Sequence, residues 1–246
     1  LRQSCVVLTN TSLPDTTISS AEVIEANSFT SSGSNSTLIT PAFCRVVGVT
    51  SPQVNFEVWL PLDNWNGKYN GVGNGGMAGV ISYAAMAGAL KRGYATASTD
   101  TGHDASGGLF DASWASGRPD LIEDFGHRGL HITTENAKAI TETFYNSAPA
   151  YSYYTGCSKG GQMGLMEAQR YPDDFDGIVA GNPANDWTRF YAGAHLWYSL
   201  AMLDNNNEGW IPRSKLPAFG NAVNAACDAL DGIEDGILQN PLACTF

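Results

Sequence analysis

The chain has no run of about 18 apolar residues, so no segment reads as a membrane-spanning helix. Basic residues are scarce: 13 Lys and Arg stand against 24 Asp and Glu, a net charge of -11. That balance argues against nucleic acid or an anionic membrane surface as partner. The first residues, Leu1 to Cys5, lack the apolar core of a signal peptide, so a secreted protein is expected here in its mature form. Cysteine is odd in number, with five at Cys5, Cys44, Cys157, Cys227 and Cys244. In a secreted chain an odd count implies a free thiol or a partner outside the chain. By proximity the natural pairs are Cys5 with Cys44 and Cys227 with Cys244, which leaves Cys157. With 246 residues, 43% of them hydrophobic, the chain is long enough to bury roughly 70–75% of its unfolded surface in one large domain.

What is present is a serine between two glycines, Gly156-Cys157-Ser158-Lys159-Gly160, in the G-x-S-x-G pattern of a nucleophile elbow. The aromatic and β-branched run from Tyr151 to Thr155 predicts a strand before it. Gln162 to Arg170 predicts a helix after it, stopped before Pro172. Such a turn would offer Ser158 Oγ to an ester carbonyl. The alternative is a glycine-rich turn whose serine only caps the following helix. The developing oxyanion needs backbone N–H donors, one from Lys159 and one from a glycine-rich loop after an earlier strand. Gly73-Asn74-Gly75-Gly76 provides that loop, with Gly75 or Gly76 as donor, unless it is a plain tight turn.

A serine hydroxyl needs an adjacent imidazole to take its proton. In α/β-hydrolases the triad runs Ser, then Asp or Glu, then His along the chain. His103, His127 and His131 precede Ser158, and His195 lies in a helix-like stretch, Tyr191 to Trp197. Either the mechanism is unusual, or the chain is incomplete and the base is expected from outside these residues.

The coarse pattern alternates strands and helices, which points to an α/β-hydrolase fold with a mostly parallel sheet. Strands are expected at 54–60, 68–72, 94–98, 151–155 and 175–181, and helices at 78–91, 133–145 and 162–170. Thr133 or Thr134 would cap the second helix, with Glu135 in its first turn. After Asn182-Pro183 the composition turns aromatic and loop-like, so 1–182 is read as catalytic domain and 183–246 as the start of a lid. With later strands missing, an isolated chain would expose a parallel sheet edge and aggregate, so it should travel with a second polypeptide.

Other candidates carry weaker signals. His103 and Asp104 could line a cleft or simply be solvated. Asp124 and Arg128 sit at the spacing of an i, i+4 ion pair. Trp187, Phe190, Tyr191, Trp197 and Tyr198 could form an aromatic wall or lie in a core. Asn10 and Asn35 head N-x-S/T sequons, used only in a eukaryotic secretory host. Asp228, Asp231 and Asp235 fall at i, i+3 and i+7, with Gly232 and Gly236 letting the backbone present the carbonyls of Ile233 and Ile237. Spacing alone leaves this loop a solvated acidic turn or a site for calcium, which takes 6–8 oxygen ligands.

Taken together, Gly73-Asn74-Gly75-Gly76, Ser98 to His103, Asp124 to Arg128, Gly156 to Gly161 and Cys227 to Ile237 resemble the tannase and fungal-type feruloyl esterase family over nearly the whole chain. The resemblance implies a secreted serine esterase acting on aromatic esters, feruloyl or other hydroxycinnamoyl before galloyl. It also implies a structural calcium ion in the lid, held by Asp228, Asp231, Ile233, Asp235 and Ile237. In that family a cysteine before the serine is bonded to one that follows the catalytic histidine. Cys157 matches the first, so the C-terminal portion of the same enzyme would be a disulfide-linked partner supplying Asp and His. The rival is a non-catalytic ligand- or carbohydrate-binding module that keeps the hydrolase scaffold.

Overall fold

The computed structural model describes residues 3–31 and 35–246. The chain divides into two units, Leu1–Asn185 and Asp186–Phe246.

The first unit is built on a seven-stranded sheet. Its strands are β1 (Thr16–Ile24), β2 (Phe43–Thr50), β3 (Val54–Pro61), β4 (Lys68–Val72), β5 (Ala95–Thr99), β6 (Tyr151–Cys157) and β7 (Gly177–Gly181), in the order β1-β2-β3-β5-β4-β6-β7. The pairings β1–β2, β2–β3 and β3–β5 are antiparallel, and β5–β4, β4–β6 and β6–β7 are parallel. Strands β2, β4, β5, β6 and β7 therefore share one direction, with β1 and β3 opposed. Strands β3 and β5 are buried along nearly their whole length, as sheet centres covered on both faces must be. Helix α1 (Tyr83–Lys91) covers one face, where Met86 and Leu90 meet Phe43 and Trp59. The other face carries α3 (Gly129–Tyr145) and α4 (Lys159–Arg170), whose Ile140, Phe144 and Met163 pack with Val58, Tyr69 and Tyr154. A disulfide from Cys5 to Cys44 ties the N-terminal turn to β2, with Cα atoms 5.6 Å apart.

Three expected helix starts shift. Helix α1 starts at Tyr83 rather than residue 78, because Ala78 (φ 60°) and Gly79 (φ 77°) take left-handed backbone. A Cβ at Gly79 would lie 2.7 Å from Ala105 N, so glycine is required for this close approach. Helix α3 begins at Gly129, continuous with α2 (Pro119–Glu123) and a π-helical turn, Asp124–Arg128. Thr133 and Thr134 are thus interior and buried, and Thr134 Oγ1 donates to Leu130 O instead of capping. Helix α4 starts at Lys159, directly after Ser158. The antiparallel β1–β2 pair has no counterpart in the sequence reading. Strand β7 stands at the sheet edge with Val179 63% exposed.

The second unit holds a π-helical segment (Thr188–His195), α5 (Leu196–Asn207) and α6 (Leu216–Cys227). Cys227 is its one fully buried hydrophobic residue among those described, and a disulfide joins it to Cys244. Phe190, Trp197 and Tyr198 are exposed, while Trp187 stacks on Tyr191 at 4.5 Å and Tyr191 on His195 at 4.5 Å. Mutual stacking removes part of each ring from water without full burial.

Candidate active site

Ser158 sits between β6 and α4 at φ 60°, ψ -119°, and is exposed. A non-glycine residue in this region is strained and persists only when its surroundings fix it. They do so here on three sides. Ser158 N–H donates to Gly181 O (3.0 Å), and its carbonyl accepts from Gln162 N (3.1 Å) and Ala184 N (3.0 Å). The flanking glycines are steric necessities: a Cβ on Gly156 would lie 2.4 Å from Gly160 O, and one on Gly160 would lie 3.0 Å from Asn74 O. Both are consistent with the elbow motif, which needs strand and helix to meet without side chains between them.

The glycine-rich loop is docked on this turn. Gly73 N–H extends the β4–β6 ladder to Thr155 O (3.0 Å), and Gly160 N–H donates to Asn74 O (2.8 Å). Asn74 Nδ2 reaches Val80 O (2.6 Å) and Thr99 O (2.8 Å), bracing the loop from below. Gly76 takes φ 56° with its Cβ position 2.4 Å from Leu109 O, whereas Gly75 faces open space. Lys159 N–H belongs to the first turn of α4, where no intrahelical acceptor exists. Among the described residues no backbone acceptor takes the N–H of Gly75, Gly76 or Lys159. The loop and the helix N-terminus thus offer N–H groups beside Ser158.

The Lys159 side chain runs the other way, into the protein. It is 1% exposed; its Nζ donates to Phe125 O (2.7 Å) and Gln162 Oε1 (2.6 Å) and lies 3.6 Å from the Phe125 ring centroid. The two acceptors and the ring face favour the ammonium, but burial outweighs them and pulls the amine down to about 7. Lys159 thereby pins the π-helical turn to the elbow.

Each of the three histidines in this unit has a hydrogen-bond partner other than Ser158. His103 Nε2 bonds to Met77 O (2.7 Å), its ring stacked on Trp114 at 3.8 Å, so it tethers the glycine-rich loop; burial depresses its basicity. Its neighbour Asp104 is exposed and accepts Ser106 N–H. His127 Nδ1 meets Tyr171 Oη (2.7 Å), and His131 Nδ1 meets Asp174 Oδ2 (2.7 Å). In the second unit His195 ends a helical segment, its Nδ1 3.2 Å from Phe190 O. Asp124 and Arg128 form the expected ion pair, and Arg128 also donates to Ser51 O. Cys157 is a free, exposed thiol.

The acidic loop folds back on itself. Asp228 accepts Gly236 N–H at 3.0 Å, Asp231 accepts Ile233 N–H at 3.0 Å, and Asp235 accepts Ile237 N–H at 3.0 Å. Each carboxylate keeps further lone pairs; Asp231 and Asp235 are exposed and Asp228 is half-buried. With the carbonyls of Ile233 and Ile237, the donors are hard oxygens, the set calcium takes. Asn10 and Asn35 are both exposed.

Comparison with known proteins gives this arrangement its context. A family model described as tannase and feruloyl esterase matches residues 37–246. The chain belongs to this family. An esterase of Xanthomonas campestris described as uncharacterised is 44% identical over 99% of the chain, which covers 42% of that protein. A probable feruloyl esterase of Arthroderma benhamiae is 41% identical over 79% of the chain and 36% of its own length. The crystal structure of feruloyl esterase B from Aspergillus oryzae superposes with a TM-score of 0.82 at 31% identity, over 98% of the chain and 50% of that structure. The chain thus spans about two fifths to one half of the length of these relatives, and its fold is that of family esterases.

Sequence reasoning found the elbow and the loop but missed what holds them. Asn74 was visible only as part of a glycine motif, and its three bonds join residues from 74 to 160. Nothing in the local pattern distinguishes the buried Lys159 side chain from an exposed lysine.

Proposed function

We propose that this chain is the nucleophile-bearing part of a secreted carboxylic ester hydrolase that cleaves feruloyl or related hydroxycinnamoyl esters through an acyl-enzyme on Ser158. The observation that carries the reading is Ser158 itself: an exposed hydroxyl on a backbone at φ 60°, locked by three hydrogen bonds beside a glycine-rich loop. In this reading Ser158 Oγ attacks the ester carbonyl carbon as its proton passes to an imidazole. The resulting oxyanion is held by Lys159 N–H and by Gly75 or Gly76 N–H. Collapse expels the alcohol, which takes that proton, and water then releases the aromatic acid and restores the serine.

His103, His127 and His131 are bonded elsewhere, so the imidazole and its Asp come from the remaining length of the enzyme. The free Cys157, one residue before Ser158, is the attachment point for a cysteine following that histidine. The open β7 edge and a hollow of about 400 Å³ lined by Tyr94, Tyr153, Ile178 and Val179 favour a further segment lying there. Residues 183–246 form part of a lid, and Asp228, Asp231 and Asp235 with the carbonyls of Ile233 and Ile237 hold a structural calcium ion. Asn10 and Asn35 are its glycan sites.

Release of ferulate from methyl ferulate, compared with gallate from methyl gallate, tests the activity on the full-length enzyme. Ser158→Ala should abolish both while leaving the fold intact, with methyl ferulate the better substrate of the unaltered enzyme; retained turnover in Ser158→Ala sinks the assignment. Chelation of calcium should lower the melting temperature of the wild type and leave that of Asp228→Asn/Asp231→Asn unchanged. Equal responses would refute the calcium role.

A further inference from the structure

Away from Ser158, His131 on α3, Glu167 on α4 and Asp174 in the turn after α4 bring ligand atoms within 4.8 Å of one another. Glu167 is 1% exposed, and neither of its oxygens receives a hydrogen bond from any described donor. A buried carboxylate with no donor is strongly disfavoured unless a proton or a cation joins it. Asp174 places a second negative charge against it.

The surroundings have the form of a supported ligand set. His131 Nδ1 lies 2.7 Å from Asp174 Oδ2, and its other nitrogen faces Glu135 Oε2 at 3.5 Å one turn along α3. The Tyr171 ring stacks on the imidazole at 3.7 Å and 4°, fixing its plane. A metal-bound histidine commonly gives its second N–H to a carboxylate in this way. Lys138 Nζ, 4.0 Å from Asp174 Oδ1, stands at the rim.

We infer that His131 Nδ1, Glu167 and Asp174 bind a divalent cation of the zinc type, which ties the elbow helix α4 to α3. One imidazole nitrogen and two carboxylate oxygens suit zinc, with bonds of about 2.0–2.2 Å. Calcium fits poorly, because it takes 6–8 oxygens. Tetrahedral zinc sets its ligand atoms roughly 3.3 Å apart, so the His131–Asp174 pair, at 2.7 Å, opens slightly while the other separations, within 4.8 Å, adjust by small side-chain rotations. The His131 side chain is 24% exposed, leaving a path for water as fourth ligand. The competing occupant is a proton shared by Glu167 and Asp174.

The test uses the full-length protein saturated with calcium, so that the acidic loop takes up no added ion. It is titrated with Co²⁺ as a visible stand-in for zinc and with Zn²⁺ in equilibrium dialysis. The expected result is one ion per chain with the visible absorption of a four-coordinate site. Binding should be lost in His131→Ala and in the isosteric Glu167→Gln, weakened about tenfold in Glu135→Gln, and retained in His195→Ala. Zn²⁺ should raise the melting temperature of the wild type and leave that of Glu167→Gln unmoved. Absence of 1:1 binding, or equal binding by Glu167→Gln, overturns the inference. A wild type that takes no ion while Glu167→Gln melts higher assigns the place to the shared proton and overturns it as well.

Discussion

Glu57 and Glu167 are both buried carboxylates, at 3% and 1% exposure, and their surroundings are opposite. Glu57 on β3 takes two bonds from Arg45 (2.9 and 2.6 Å), one from Trp59 Nε1 (2.8 Å) and one from Tyr83 Oη (3.0 Å). Its charge is balanced, its lone pairs are filled, and the network joins β2, β3 and α1. Glu167 has no donor, and burial beside Asp174 pushes its carboxyl up to about 9. The difference teaches that burial alone does not define a structural carboxylate. A filled donor set closes the account at Glu57, whereas Glu167 asks for something not supplied by its hydrogen-bond partners. Lys159 lies between the two, with two acceptors and a ring face but no counter-charge.

These three buried groups can be separated by mutation. The largest effect is expected at Glu57→Gln, which leaves the half-buried Arg45 with only the exposed Glu22, at 3.3 Å, as counter-charge. A loss of about 2–4 kcal/mol in urea unfolding is expected; a loss below about 1 kcal/mol would make the network ornamental. Next is Lys159→Met. Burial lowers the folded-state pKa of Lys159 from 10.5 to about 7. Between those values the unfolded chain holds the proton and the folded chain does not, so the cost of burying the amine is relieved as pH rises. The wild type should therefore gain on Lys159→Met across that window, by at most about 1.4 kcal/mol per pH unit. A flat difference means that the amine stays charged throughout. The smallest effect is expected at Glu167→Gln in zinc-free buffer, where the amide can donate to Asp174. Unfolding free energy within about 1 kcal/mol of wild type, or above it, fits a carboxylate without donors; a loss comparable to that of Glu57→Gln would erase the contrast.

Much of the frame was legible because its signals are local. The alternation of Val54 to Leu60 marks β3, and Gly156 and Gly160 mark the elbow because a Cβ on Gly156 would collide with Gly160 O and one on Gly160 would crowd the backbone of Gly73 and Asn74. The spacing of Asp124 and Arg128 gave their ion pair. What was not legible depends on distant residues meeting. The start of α1 moved because Gly79 packs against the backbone of Ala105. Thr133 looked like a cap until the π-helical turn and α2 carried the helical run back to Pro119. The Glu57 site depends on Arg45 and Tyr83, 12 and 26 positions away, and the Glu167 site on His131 meeting Asp174, 43 positions apart, beyond the reach of any periodicity. The catalytic base is a different matter, since no histidine of the first unit is directed to Ser158.

The central claim is that Ser158 is the nucleophile, and intact mass with peptide mapping of the full-length enzyme after treatment with a serine-reactive phosphonate tests it most directly. The account predicts one phosphonyl group on the peptide that contains Ser158, complete loss of ester hydrolysis, and no adduct in Ser158→Ala. An inactivated enzyme labelled elsewhere, or an unlabelled Ser158 in a preparation that hydrolyses feruloyl esters, would contradict it.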